Sequence, residues 1–185
     1  MRVFISGGCK NGKSYYAQRL ASAMRGTGLY YIATMLPGDD EDIERVRRHR
    51  RERLGWGFET VEQPRDIAGI LQKCDRGATF LLDSLTALLA NEMFPGGGRM
   101  NAGAADKVCG ELARVLDAID DIVVVSDYIY ADGLAFDALT EEYMRSLAQL
   151  DRLAASKCDA VVEVSFSAVA VHKGGDIISF VTAVP

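Results

Sequence analysis

Two stretches of the chain carry side chains whose types and spacing suit phosphate chemistry. The first is GGCKNGKS, residues 7–14, in which Gly7-x-x-x-x-Gly12-Lys13-Ser14 fits the P-loop pattern. Glycines at Gly7, Gly8 and Gly12 let the backbone curl, so that the N–H groups of Cys9, Lys10, Asn11 and their neighbours can point inward at phosphate oxygens. Lys13 would bridge the β- and γ-phosphates of ATP or GTP, and the Ser14 hydroxyl would bind the accompanying Mg²⁺. A magnesium shell also needs an acid at the end of a neighbouring strand. Asp83, directly after the apolar run Thr79-Phe80-Leu81-Leu82, is placed for that role. It could also cap a helix starting near Leu85; the two roles are compatible, and the apolar run before it favours the metal role.

The second stretch is DDEDIERVRRHRRERLGW, residues 39–56. Six of the nine residues from Arg45 to Arg53 are arginine, with His49 among them. Helix positions four apart share a face, so Arg45, His49 and Arg53 form one stripe, while Ile43, Val46 and Leu54 face another way and can anchor the helix. One reading is a solvated helix whose acids, Asp39 to Asp42, favour its N-terminus and whose arginines favour its C-terminus. The other is a cluster of guanidinium groups that gathers phosphates around a histidine nucleophile. Flanking cations favour neutral imidazole, the form that can attack phosphorus and carry a nucleotidyl group.

The elements that must position these residues alternate between short apolar runs and longer amphipathic ones. Strands are expected at Val3–Ser6, Leu29–Ala33, Thr79–Leu82 and Ile122–Ser126, with a strand or hairpin at Ala160–His172. Helices are expected at Ser14–Arg25, Asp42–Leu54, Ile67–Lys73, Leu85–Met93, Ala105–Ile119 and Glu141–Ser156. The loop PGGGRMN, with three consecutive glycines, is expected to be mobile. Strands separated by helices predict a three-layer α/β fold of the P-loop NTPase (RecA-like) kind around a mostly parallel central sheet. At 185 residues the chain is expected to form a single domain, 1–185.

Composition narrows the function classes. A formal net charge of -5 argues against a general nucleic-acid binder, so any anion site must be local. Cys9, Cys74, Cys109 and Cys158 form no Cys-x-x-Cys pair, and the only histidines are His49 and His172, so a metal cluster is not expected and the thiols read as reduced. His172, before Lys173-Gly174-Gly175, reads as a surface turn residue. Tyr128 and Tyr130 either pack the sheet edge or line a pocket for the acceptor. Gly7 and Gly8 interrupt the apolar start before it reaches signal-peptide length, and no run approaches a membrane span, so a cytoplasmic protein without a membrane partner is expected.

The sequence resembles the bifunctional adenosylcobinamide kinase/adenosylcobinamide-phosphate guanylyltransferases of cobalamin biosynthesis. The resemblance is carried by Gly7-Gly8-x-x-x-Gly12-Lys13-Ser14, Tyr31-Ile32-Ala33-Thr34, Arg45-Val46-x-x-His49-Arg50-x-x-Arg53, Thr60-x-Glu62-x-Pro64 and Leu81-Leu82-Asp83-x-Leu85-Thr86-x-x-x-x-Asn91. It implies that His49 is the guanylylated histidine, that Asp83 is the strand-end acid, and that Glu62 joins the loop in binding nucleotide; that Arg45 and Arg53 steady the phosphates is inferred from their stripe with His49. It also implies a corrinoid acceptor and a homo-oligomer, a trimer whose subunit edges complete the sites. Between His49 and Thr60 the chain is one residue longer than the family pattern, so Trp56 or Phe58 stands in for the family's tryptophan. After the fourth strand, Ser126-Asp127-Tyr128-Ile129 replaces the family's Asn-Glu-Val-Gly segment, and Tyr143–Asp151 replaces its Arg-Asp…Gly…Asn-Gln helix. Two other readings fit the loop: a P-loop kinase of another small alcohol, with the arginine helix as a lid, and a nucleotide-binding regulatory module without turnover.

Overall fold

The structure, a computed structural model, describes all residues except 25, 39–43, 45, 48–50, 52, 98–99, 131–133 and 183–185. Arg45 and His49, the end of the expected first helix at Arg25, and Gly98 and Arg99 of the glycine loop therefore lie outside the described residues.

Seven strands form one sheet in the order β3-β2-β4-β5-β1-β6-β7. They are β1 (Arg2–Ser6), β2 (Leu29–Ala33), β3 (Glu59–Glu62), β4 (Thr79–Asp83), β5 (Ile122–Val125), β6 (Ala160–Ser165) and β7 (Ala168–Lys173). All neighbours pair in parallel except β6 and β7, which make an antiparallel hairpin at one edge. The helices are α1 (Lys13–Ala23), α2 (Ile70–Lys73), α3 (Leu85–Met93), α4 (Ala104–Ala118), α5 (Ala138–Lys157) and α6 (Gly175–Thr182).

The central strands are apolar on both faces because both faces are covered. Val3, Ile5, Leu81, Val123, Val125 and Val162 point into a core shared with Ala17, Leu20 and Ala21 of α1 and Ile178 of α6. The intervening residues Phe4, Ile32, Phe80, Leu82, Ile122 and Val124 point the other way, against Leu88 of α3, Leu112 of α4 and Leu147 and Leu150 of α5. This is the expected three-layer arrangement, and each expected apolar strand is present.

Several features differ from the sequence expectation, among them helix α6, which no periodicity marked. Strand β3, ETVE, is polar and largely exposed, so no apolar alternation marks it; pairing with β2 makes it a strand. Helix α5 begins three residues earlier than Glu141, because the Asp137 carboxylate accepts hydrogen bonds from the N–H groups of Leu139 (2.9 Å) and Thr140 (3.1 Å). His172 lies within exposed strand β7 rather than in a turn, with its Nε2 3.0 Å from Glu163 Oε2 across the hairpin. Among the described residues no helix is long and apolar enough to cross a membrane. All four cysteines are free, and burial pushes the Cys158 thiol up to about 12.

Candidate active site

Parallel pairing brings the carboxyl ends of neighbouring strands to one edge of the sheet, where ligands of open α/β sheets bind. Asp83 at the end of β4 sits in register with Ala33 of β2 and Val125 of β5, and Ile5 of β1 also pairs Val125. The glycine loop after β1, the Asp83-Ser84 corner after β4 and Asp127 just beyond β5 thus converge. Together with Glu62 of β3 they line one cavity of about 920 Å³.

The loop is built as its residues require. A Cβ on Gly7 would overlap the carbonyl oxygen of Val164 in β6 and the side-chain amide of Asn11, which itself donates to that carbonyl. Gly12 has φ 92°, in the left-handed region open to glycine, and stands as the N-cap of α1, while Asn11 Oδ1 accepts from the first-turn N–H of Lys13 at 3.2 Å. The hairpin tip braces the loop from outside: Ser167 N–H donates to the Asn11 carbonyl at 3.2 Å. Cys9, Lys10, Asn11, Gly12, Lys13 and Ser14 all line the cavity. Lys13 is only 6% exposed, and its ammonium donates to the Gly8 carbonyl at 3.0 Å and pairs with Asp127 Oδ1 at 2.5 Å.

The motif residues around Asp83 form its scaffold. Thr34, fully buried after β2, donates through Oγ1 to the Ser84 carbonyl (2.8 Å) and accepts from the Ser84 N–H (2.7 Å). The Asn91 side chain donates to the carbonyls of Thr34 (2.7 Å) and Pro64 (3.0 Å), tying α3 to the ends of β2 and β3. Helix α3 is capped by the Ser84 hydroxyl, which accepts from Ala87 N–H at 3.3 Å. Asp83 is thereby left for another role, and its Oδ2 accepts from the Tyr31 hydroxyl at 2.8 Å.

The arginine segment reaches the same cavity. Val46, Arg47 and Arg53 line it, and Glu44 holds Arg51 at 2.9 Å on the solvent side. Leu54, expected as an anchor, is 78% exposed; the anchor is Arg53, 7% exposed, whose guanidinium lies 3.6 Å from the centroid of the Tyr31 ring. Tyr31 thus links the arginine segment to Asp83. Of the two candidates for the family tryptophan, Phe58 meets Tyr31 edge-on at 6.0 Å and Trp56 meets Tyr15 at 5.8 Å.

Asp127 is the site residue that sequence reasoning missed. Its position after the apolar strand β5, mirroring Asp83 after β4, was the available signal. Its backbone N–H donates to Thr86 Oγ1 at 2.8 Å, and the Thr86 carbonyl accepts from the Tyr143 hydroxyl at 2.8 Å. Burial, with the charges of Asp127 and Asp151, holds the Tyr143 hydroxyl in its protonated form well above the usual tyrosine range. Tyr128 and Tyr130 meet edge-to-face at 4.7 Å beside a separate cavity of about 350 Å³, lined also by Asp151, Arg152, Glu163 and His172. Elsewhere, the carboxylates of Asp66, Glu92 and Glu111 gather around the Lys107 ammonium, which supplies the cation there.

Comparison with known proteins identifies relatives of the chain. The chain is 30% identical over 166 residues to the bifunctional adenosylcobalamin biosynthesis protein CobP of Pseudomonas aeruginosa, covering 87% of this chain and 91% of that protein. It is 29% identical over 99 residues to the bifunctional adenosylcobalamin biosynthesis protein CobU of Escherichia coli, covering 53% of each. Among solved structures, an ATPase of a type III secretion system superposes with a TM-score of 0.52 at 14% identity, over 89% of this chain and 51% of that one. That likeness is one of fold alone. Residues 3–170 match the CobU family, and the chain belongs to this family of cobinamide kinases / cobinamide phosphate guanyltransferases.

Proposed function

We propose that the protein phosphorylates adenosylcobinamide with ATP or GTP and then transfers GMP from GTP to adenosylcobinamide phosphate, two steps of cobalamin biosynthesis. The observation that carries this reading is the convergence, in one cavity, of Lys13, Ser14 and Asp83 with Arg47 and Arg53 of the arginine segment. Family membership supplies the acceptor.

In the first step the terminal hydroxyl of the acceptor attacks the γ-phosphorus, and a nucleoside diphosphate leaves. Lys13 and the loop N–H groups hold the phosphate oxygens, so catalysis is chiefly positioning and electrostatic stabilisation. Ser14 and Asp83 offer a hydroxyl and a carboxylate, hard oxygen donors that suit Mg²⁺. The ion, when bound, neutralises phosphate charge.

In the second step a ring nitrogen of His49 attacks the α-phosphorus of GTP. The bond to the bridging oxygen breaks, pyrophosphate leaves, and GMP stays on the histidine until a phosphate oxygen of the acceptor displaces it. Support for this role is the Arg45-x-x-x-His49-x-x-x-Arg53 stripe, together with the burial of Arg53 in the cavity wall. Arg45 and Arg53 steady the phosphates, and Glu62 at the end of β3 contributes to nucleotide binding. We further infer a single-domain cytoplasmic protein acting as a homotrimer on small molecules, without a nucleic-acid or membrane partner.

The test is incubation with α-labelled GTP and Mg²⁺ followed by denaturation. Acid-labile, alkali-stable label on the wild type that vanishes in His49→Ala supports the guanylylated histidine; absence of label on the wild type defeats it. Lys13→Ala should abolish phosphorylation of adenosylcobinamide. Nucleotide binding by a wild type that transfers neither phosphate would favour a regulatory module instead.

A further inference from the structure

Lys13, the residue expected to bridge the β- and γ-phosphates, already carries a negative partner. Its ammonium rests on Asp127 Oδ1 at 2.5 Å, not on the strand-end acid Asp83. A carboxylate in that place competes with the triphosphate for the lysine, so by itself it weakens nucleotide binding. When the lysine turns to phosphate oxygens, the carboxylate it leaves stands within about one hydrogen-bond length of the ammonium, beside the γ-phosphoryl group.

Asp127 is fixed there by backbone on both sides. Its own N–H donates to Thr86 Oγ1 at 2.8 Å, the Ser126 N–H to the Ile5 carbonyl at 3.0 Å, and the Tyr128 N–H to the Gly7 carbonyl at 2.9 Å. Sheet order separates it from the other acids of the cavity. Strand β5 adjoins β1, whereas β4 is two places away and β3 four. At roughly 4.8 Å per strand spacing, the end of β3 with Glu62 lies about 19 Å across the sheet from the loop strand. Asp83 is nearer, but its Oδ2 is engaged by the Tyr31 hydroxyl.

We propose that Asp127 is the catalytic carboxylate that receives the proton of the acceptor hydroxyl during γ-phosphoryl transfer, and that in the nucleotide-free protein it serves as the counter-ion of Lys13. This rests on the phosphorylation reading above. The acceptor O–H bond breaks, its proton passes to an Asp127 oxygen, and the electron pair forms the new O–P bond. The bond from the γ-phosphorus to the bridging oxygen breaks and releases the nucleoside diphosphate, after which the proton passes from Asp127 to solvent.

The test compares wild type, Asp127→Asn and Asp127→Glu in three measurements: phosphorylation of adenosylcobinamide by ATP, affinity for the non-hydrolysable analogue AMP-PNP, and thermal melting. Asparagine at this position should lower kcat by about 10²–10⁴-fold while AMP-PNP binds as tightly as to wild type or more tightly. Glutamate should recover part of the rate. A kcat within about fivefold of wild type in Asp127→Asn overturns the proton-transfer role. Looser AMP-PNP binding in step with a lowered melting temperature overturns both roles and makes the residue structural. If the wild type binds AMP-PNP but does not phosphorylate adenosylcobinamide, the acceptor reading fails and takes proton transfer with it. The counter-ion role is then decided by AMP-PNP affinity alone.

Discussion

Asp151 should make the protein less stable as the pH rises from acid to neutral, the reverse of what a surface carboxylate does. It lies on α5 at 4% exposure, with its Oδ2 accepting from the Tyr130 hydroxyl at 3.0 Å. Burial pushes its carboxyl from the ordinary 3.8 to about 6; the Asp127 charge pushes the same way, and the hydroxyls of Ser126 and Tyr130 only partly offset them. The folded protein therefore holds this proton more tightly than the unfolded chain does. The associated stability is fully present below about pH 3.8 and is lost as the pH rises through about 6. The loss amounts to about 3 kcal/mol, or about 6–12 °C in Tm for a chain of this size. Asparagine at 151 can still accept from Tyr130 and carries no charge, so Asp151→Asn should remove this component. The assay is thermal melting of both proteins between pH 4.5 and 7.5, read as the difference between their Tm values at each pH. That difference should grow in favour of the variant as the pH rises. Curves that stay parallel to within about 2 °C would refute the reasoning, because they would mean that folding does not change the affinity of Asp151 for its proton.

Two further substitutions test the architecture of the candidate site. Gly7→Ala forces a Cβ against the Val164 carbonyl, which belongs to a paired strand and cannot give way, so it should cost about 1–3 kcal/mol and lower both Tm and AMP-PNP affinity; an unchanged melt would contradict the close approach of loop and β6. Arg53→Lys removes the planar stack on Tyr31 while keeping the charge, and should cost about 1–2 kcal/mol, seen as a Tm about 2–8 °C lower, whereas a purely electrostatic role would leave the melt unchanged.

Much of this site could be read along the chain, and what could not follows a pattern. The loop Gly7–Ser14 is a local object: one strand, one turn rich in glycine and one helix, each set by neighbouring residues. Asp83 could be found for the same reason, since an acid ending an apolar strand is a sequence feature. Arg53 could be found as a member of the arginine stripe, but not its burial. A sequence pattern assigns an exposed charge to solvent and an apolar leucine to the core, and here Leu54 is the exposed one. The stack on Tyr31 reverses the expectation, because a guanidinium can lie on an aromatic face without losing its charge.

By itself the sequence determined the three-layer fold, the glycine loop between strand and helix, the acid at the strand end and the family, because each depends on short-range periodicity or on residues spaced a few positions apart. Tertiary structure alone decided that a polar segment, Glu59–Glu62, would become a strand, that Ser84 and not Asp83 would cap α3, and that Lys13 would rest on Asp127. Those outcomes depend on which strands become neighbours in the sheet. The order β3-β2-β4-β5-β1-β6-β7 sets the fifth strand beside the first, and with it Asp127 beside Lys13, residues far apart along the chain.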